Sequence, residues 1–158
     1  MLRFLRLLFC LLLIPVSALA AGKSKGPFIG MHPEGDSQEG PRMVRPDMIN
    51  GEKKFFRISP EVSGRHFGGY TAFMAQDGSF GAAFKLKEEG VRAVQILCST
   101  YQGKLVRIIV NGRPVDVQQI DQPPTDGRII VWSGLNRQDL LLFDKSMKRI
   151  GGVDPKQL

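Results

Sequence analysis

Two Asx-Gly pairs constrain this chain more than any other feature, because each stands between runs that favour extended structure. Asp77-Gly78 separates Tyr70, Ala72 and Met74, which alternate with Thr71, Phe73 and Ala75, from Phe80, Ala82, Phe84 and Leu86 on one face. Asn111-Gly112 separates Leu105-Val106-Arg107-Ile108-Ile109-Val110 from Arg113-Pro114-Val115-Asp116-Val117. Glycine and Asx residues accept the positive φ of a tight primed turn, so each pattern predicts a β-hairpin.

Helical signals follow each hairpin. From Lys87 the apolar spacing becomes three and four, through Val91, Val94, Leu97, Cys98 and Tyr101, which predicts an amphipathic helix ended by Gly103. Glu88 and Glu89 complement its dipole, although Gly90 beside them lowers helix propensity. After the breaker Gln122 to Gly127, Arg128-Ile129-Ile130-Val131-Trp132-Ser133 reads as a buried strand. A final helix is predicted next, with Asn136 as cap, Asp139 at its third position and Leu135 and Leu140 as staple. Leu140, Leu141, Phe143, Met147 and Ile150 form its apolar side, and Gly151-Gly152 stop it. With a short strand at Phe55-Phe56-Arg57-Ile58, residues 53–152 are expected to form an α+β body, two helices packed on one face of a mostly antiparallel sheet. Residues 153–158 are expected to be a C-terminal tail.

The N-terminal fifty residues read differently. Arg3 and Arg6, an apolar run from Leu7 to Ile14, and Ala18-Leu19-Ala20 before Ala21 follow the plan of a secretory signal peptide over residues 1–20. The run is too short to span a bilayer, which needs about 20 apolar residues, so no stable membrane span is expected after cleavage and the mature chain is expected to be exported, periplasmic or secreted. Residues 21–52 are expected to be a mostly disordered linker, because positions 21–51 hold six Gly and four Pro without a sustained apolar period. Cleavage removes two arginines and no acid, lowering the formal charge from +7 to +5. That mild basic balance suits an anionic partner or a solvated surface of mixed sign, and no nucleic-acid-binding motif accompanies it.

Candidate chemistry is sparse. Cys98, the one thiol left after cleavage, falls on the apolar side of its helix, where cysteine packs as a small hydrophobe. A catalytic thiolate would need a nearby cation or helix N-terminus, and Cys98 lies toward the C-terminal end. His32 falls in the linker, and His66 falls in Gly64-Arg65-His66-Phe67-Gly68-Gly69, where no motif supplies a partner base or acid. No metal-ligand spacing, phosphate loop, dinucleotide fingerprint or nucleophile elbow occurs, so no cofactor or metal is expected.

With the element order in place, residues from about Phe56 to Gly152 resemble the periplasmic head of SecD, the accessory subunit of bacterial preprotein export. Phe84-Lys85-Leu86, Glu89-Gly90, Thr100, Gly103-Lys104 and Ile108-Ile109-Val110-Asn111-Gly112-Arg113-Pro114-Val115 carry the resemblance, which Ile120, Gly127 and the Ile130 to Leu135 stretch continue. It implies a SecD-head-like or ferredoxin-like arrangement and a non-catalytic role in contacting a protein or cell-envelope component. The family's multi-helix membrane portion and its proton-conducting acids have no counterpart in this sequence. The alternative is a small exported enzyme or redox protein using Cys98 or His66. Pro114 cannot donate to a ladder, so the arm bearing Arg113, Val115, Val117 and Gln119 is expected at a sheet margin. There it either adds a partner's strand or is blunted against aggregation.

Overall fold

A computed structural model describes residues 29–157. The strands fall into two four-stranded sheets and a separate hairpin. In the first sheet β1 (Ile29–Pro33) lies between β4 (Val62–Ser63) and β7 (Leu105–Val110), and β8 (Arg113–Gln119) completes it beyond β7. The second sheet has the order β10 (Lys148–Gly152), β5 (Phe67–Met74), β6 (Phe80–Leu86), β9 (Arg128–Leu135). All pairings are antiparallel except β10 with β5. The α+β class is as expected, while the strands expected in one sheet are divided between two.

Both sheets and both helices meet in one core. α1 (Glu88–Tyr101) contributes Val94, Leu97 and Cys98, and α2 (Arg137–Ser146) contributes Leu140 and Phe143. Phe143 meets Tyr70 and Phe84 edge-on, at ring-centroid distances of 5.5 and 5.2 Å. Such contacts add to the transfer free energy of the rings themselves. Gly90 has a packing role that its helix propensity hides: a Cβ there would lie 2.4 Å from the His66 carbonyl oxygen.

The linker expectation is corrected for residues 29–52. β1 is buried throughout, with Ile29 and Met31 in the core, and it pairs with β7 from Ile29↔Val110 to Pro33↔Val106. β2 (Val44–Ile49) and β3 (Glu52–Arg57) form a hairpin on the other face of that sheet. There Arg107 pairs with Asp47 at 2.9 Å and lies over the Phe56 ring, and His32 Nδ1 is 2.9 Å from the Arg57 carbonyl oxygen. A strand covered on both faces has no polar side to alternate with, so β1 carries no period. The signal-peptide reading of residues 1–20 and the linker reading of 21–28 lie outside the described residues.

The turns differ among hairpins. Asn111 and Gly112 both have positive φ, 51° and 77°, as a primed turn requires, and so do Asn50 and Gly51 in the β2–β3 hairpin. In the β5–β6 hairpin Gly78 is left-handed but Asp77 is not. Asp77 instead accepts from the Ser79 amide and hydroxyl, giving a wider loop.

The final helix is shorter than expected. Asn136 and Asp139 form the capping box, but α2 ends at Ser146 and residues 148–152 become β10, paired parallel to β5. Arg149 bridges Asp144 and Asp154, the Val153 amide donates to the Ala72 carbonyl, and Arg137 Nε donates to the Pro155 carbonyl. Residues 153–157 are therefore docked on the body.

Candidate interaction surface

The expected β8 margin is closed at its first half. Arg113 donates from Nη2 to Asp139 Oδ2 at 2.6 Å and from Nη1 to the Gly134 carbonyl at 2.9 Å, so its charge is already paired within the fold although the side chain stays 44% exposed. The Val115 carbonyl approaches Gly134 so closely that a Cβ there would lie 2.7 Å from it. The β7–β8 ladder slips between Ile108 and Ile109, leaving Val115 as the extra residue. The bulge breaks the alternation of a regular strand, in which Val115 and Val117 would share a face: Val115 packs against the core, while Val117 lies opposite Arg107. Asp116 and Gln118 face inward opposite Ile108 and Val106, and Gln118 Nε2 donates to the Ile130 carbonyl of β9 at 2.7 Å.

Beyond Gln118 the two margins diverge over a cleft of about 250 Å³, lined by Val94, Leu97, Cys98, Ile120 and Ile129 with Gln119 and Asp121 at its rim. Cys98 is 8% exposed. Burial, then the nearby Asp121 charge, push its thiol above the ordinary cysteine range, opposite to the activation a thiolate nucleophile needs. His66 is buried, and its Nδ1 accepts from the Ser63 amide at 3.0 Å. Burial, then the Arg65 charge, hold its pKa below the usual histidine range. Cys98 and His66 lie at opposite ends of α1, the first in its last turn and the second against Gly90 in its first, and are not brought together.

No local sequence pattern signals the outer face of the β10-β5-β6-β9 sheet. Tyr70, Ala72, Phe84 and Val131 point to the core, so Thr71, Phe73, Ala83 and Ile130 point away from it. Neither helix covers that side. Trp132 is 62% exposed there, meets Phe73 edge-on at 6.4 Å, and with Met74 lines a hollow of about 450 Å³. Ile150, 52% exposed, leans over Gly69 from β10. Individual exposed apolar residues are ordinary, so it is the adjacency of Phe73, Trp132 and Met74, with Ile150 across the face from them, that makes this side the candidate surface.

No family model matches the chain, and no curated protein matches it in sequence. Among solved structures it is similar to one described as the structure and function of a membrane component SecDF that enhances protein export, with a TM-score of 0.55 and 16% identity. That match covers 78% of this chain and 64% of the other. A crystal structure of SecDF in a super-membrane-facing form matches with a TM-score of 0.52 and 17% identity, over 76% of this chain and 19% of the other. The chain thus spans less than two-thirds of either solved chain, and at these identities the likeness is one of fold. Among the described residues no helix is long and apolar enough to cross a membrane.

Proposed function

We propose that this chain is an exported, non-catalytic module that contacts a protein of the export machinery or the cell envelope through the open face of its second sheet. The observation that carries the reading is the exposed apolar group around Trp132, Phe73 and Ile150 on a face that neither helix covers. The SecD-head-like fold supports it, since a SecDF structure of similar fold is described as enhancing protein export. The test is in-cell crosslinking from position 132, followed by identification of what is captured. Defined export or envelope proteins are expected, with capture lost in the Ile150→Ser background. Failure to capture any such protein overturns the reading.

The non-catalytic part rests on Cys98 and His66. A buried thiol with a raised pKa and a buried, amide-bonded imidazole both suit packing better than proton or group transfer. Cys98→Ala and His66→Ala are expected to leave capture intact and to lower stability, by about 1–3 kcal/mol for the cysteine. A loss of function without a loss of stability in either variant would favour the enzyme or redox alternative.

A further inference from the structure

The open face has a built polarity that the pairing register reveals. Lys148 lies opposite Gly69, Gly69 opposite Lys85, and Lys85 opposite Arg128, so three cations share one row across four strands. All three are exposed. Among the described residues Lys148 and Lys85 have no carboxylate within ion-pair distance, and Arg128 has only Asp126 at 4.0 Å. Like charges directly opposite each other on neighbouring strands destabilise a sheet. An anionic group placed across Lys85 and Arg128 would relieve that repulsion.

Further along the same face the charge disappears. The next row is Thr71, Ala83 and Ile130, and beyond it Phe73 and Trp132 close the far end. Thr71 and Ala83 on the central strands make a low floor between these ends, with the Phe73 ring lying over Gly81 at one end, Ile150 leaning over Gly69 at the other, and Trp132 standing exposed on β9. The result is a trough along the strands, cationic at one end and aromatic at the other. Its outer strands are three strand spacings apart, about 14 Å. A helix with its side chains is about 10–12 Å across and fits that width, whereas a single extended strand fills only about 5 Å of it. A flat bilayer resting on Ile150 and Trp132 would leave the Thr71-Ala83 floor empty.

We propose that this trough seats an amphipathic helix of a partner polypeptide, its apolar stripe between Ile150 and Trp132 and its acidic residues against Lys148, Lys85 and Arg128. The inference rests on the reading above that the open face contacts a protein, and it adds the partner's chemistry.

The probe is a fluorescein-labelled helical peptide of about 18 residues, roughly 27 Å long, with a leucine stripe and glutamates in its first turn. Its binding to the full mature chain is followed by anisotropy. Lys85→Glu with Arg128→Glu is expected to weaken binding about tenfold or more, a change of about 1.4 kcal/mol. A peptide with lysines in place of the glutamates is expected to recover binding to that double variant and to bind the unaltered chain weakly. Trp132→Ser is expected to weaken both matched pairs. The altered side chains are exposed, and far-UV circular dichroism confirms that each variant is folded. Equal binding of both peptides to both proteins overturns the proposal, as does failure of the glutamate peptide to bind. Binding to phosphatidylglycerol vesicles instead, with the same dependence on Lys85 and Arg128, assigns the face to a membrane and also overturns it. Self-association abolished by Trp132→Ser assigns it to a second copy, with the same result. If the peptide fails while defined export or envelope proteins still crosslink from position 132, the helix inference falls and the proposed function stands. If no such protein is captured there, the proposed function falls.

Discussion

Arg113 and Asp139 join the tip of one hairpin to the start of a helix: the guanidinium at the head of β8 donates to a carboxylate that is only 4% exposed, over 2.6 Å. Asp139 also accepts from Asn111 Nδ2 and from the Asn136 amide, both at 2.9 Å. Between them, the two side chains hold the β7–β8 turn, the α2 cap and the Gly134 bend together.

Removing the cation leaves that carboxylate buried with one charged donor fewer. Arg113→Met is expected to cost about 2 kcal/mol, the range for a hydrogen bond to a charged group. Asp139→Ala, which also breaks the capping box, is expected to cost more, about 2–4 kcal/mol. Urea midpoints at pH 7 with unchanged slopes check both, and a cost below about 0.5 kcal/mol for Arg113→Met would show that the pair is only decorative.

Gly90→Ala separates propensity from packing. Within an isolated helix the change would gain about 1 kcal/mol. Here the new methyl would sit 2.4 Å from the His66 carbonyl oxygen, a backbone atom that cannot rotate away. A net loss of about 1–3 kcal/mol is expected from overpacking, read as a lower melting temperature.

A chain beginning at Lys53 lacks β1, the strand between β4 and β7. It is expected to lose cooperative thermal unfolding and near-UV ellipticity, while a chain beginning at Ala21 keeps both. Cooperative melting of the shorter chain would mean that β4 and β7 pair without their middle strand.

Two histidines set an acid limit on stability. Burial is the main cause holding both His32 and His66 below the ordinary histidine range, with Arg107 and Arg65 respectively adding repulsion. In the unfolded chain they titrate near 6.5. As pH falls through that value the unfolded chain takes up protons that the folded chain refuses, so stability is complete above it and declines below. The urea midpoint is expected to drop between pH 7 and 5.5, and the slope to flatten in a His32→Gln, His66→Gln double variant. An unchanged slope in that variant would place the titration elsewhere.

What could be read from the sequence was local. α1, the Asn136 cap and the β7–β8 turn are each encoded within a few neighbouring residues, and all three formed. β1 and β10 depend on distant neighbours: Ile29 to Pro33 are strand because β7 lies beside them, and Lys148 to Gly152 because β5 does. Among the described Gly and Pro residues that suggest a linker, Gly51 serves the β2–β3 turn and Pro33 ends β1 instead. Arg113 heads β8, but its partner Asp139 comes from a different element. The row of Lys148, Lys85 and Arg128 exists only through strand register, which no local pattern specifies.

The place of β1 also bears on when this protein can fold. Its first described strand finds its long neighbour only in Leu105–Val110, and β5 receives β10 only from Lys148–Gly152. Closing such long loops is slow and unrewarded until the distant segment arrives. During synthesis the first sheet cannot be complete before residue 119 has been made, nor the second before residue 152, so each sheet waits on a strand far along from its first.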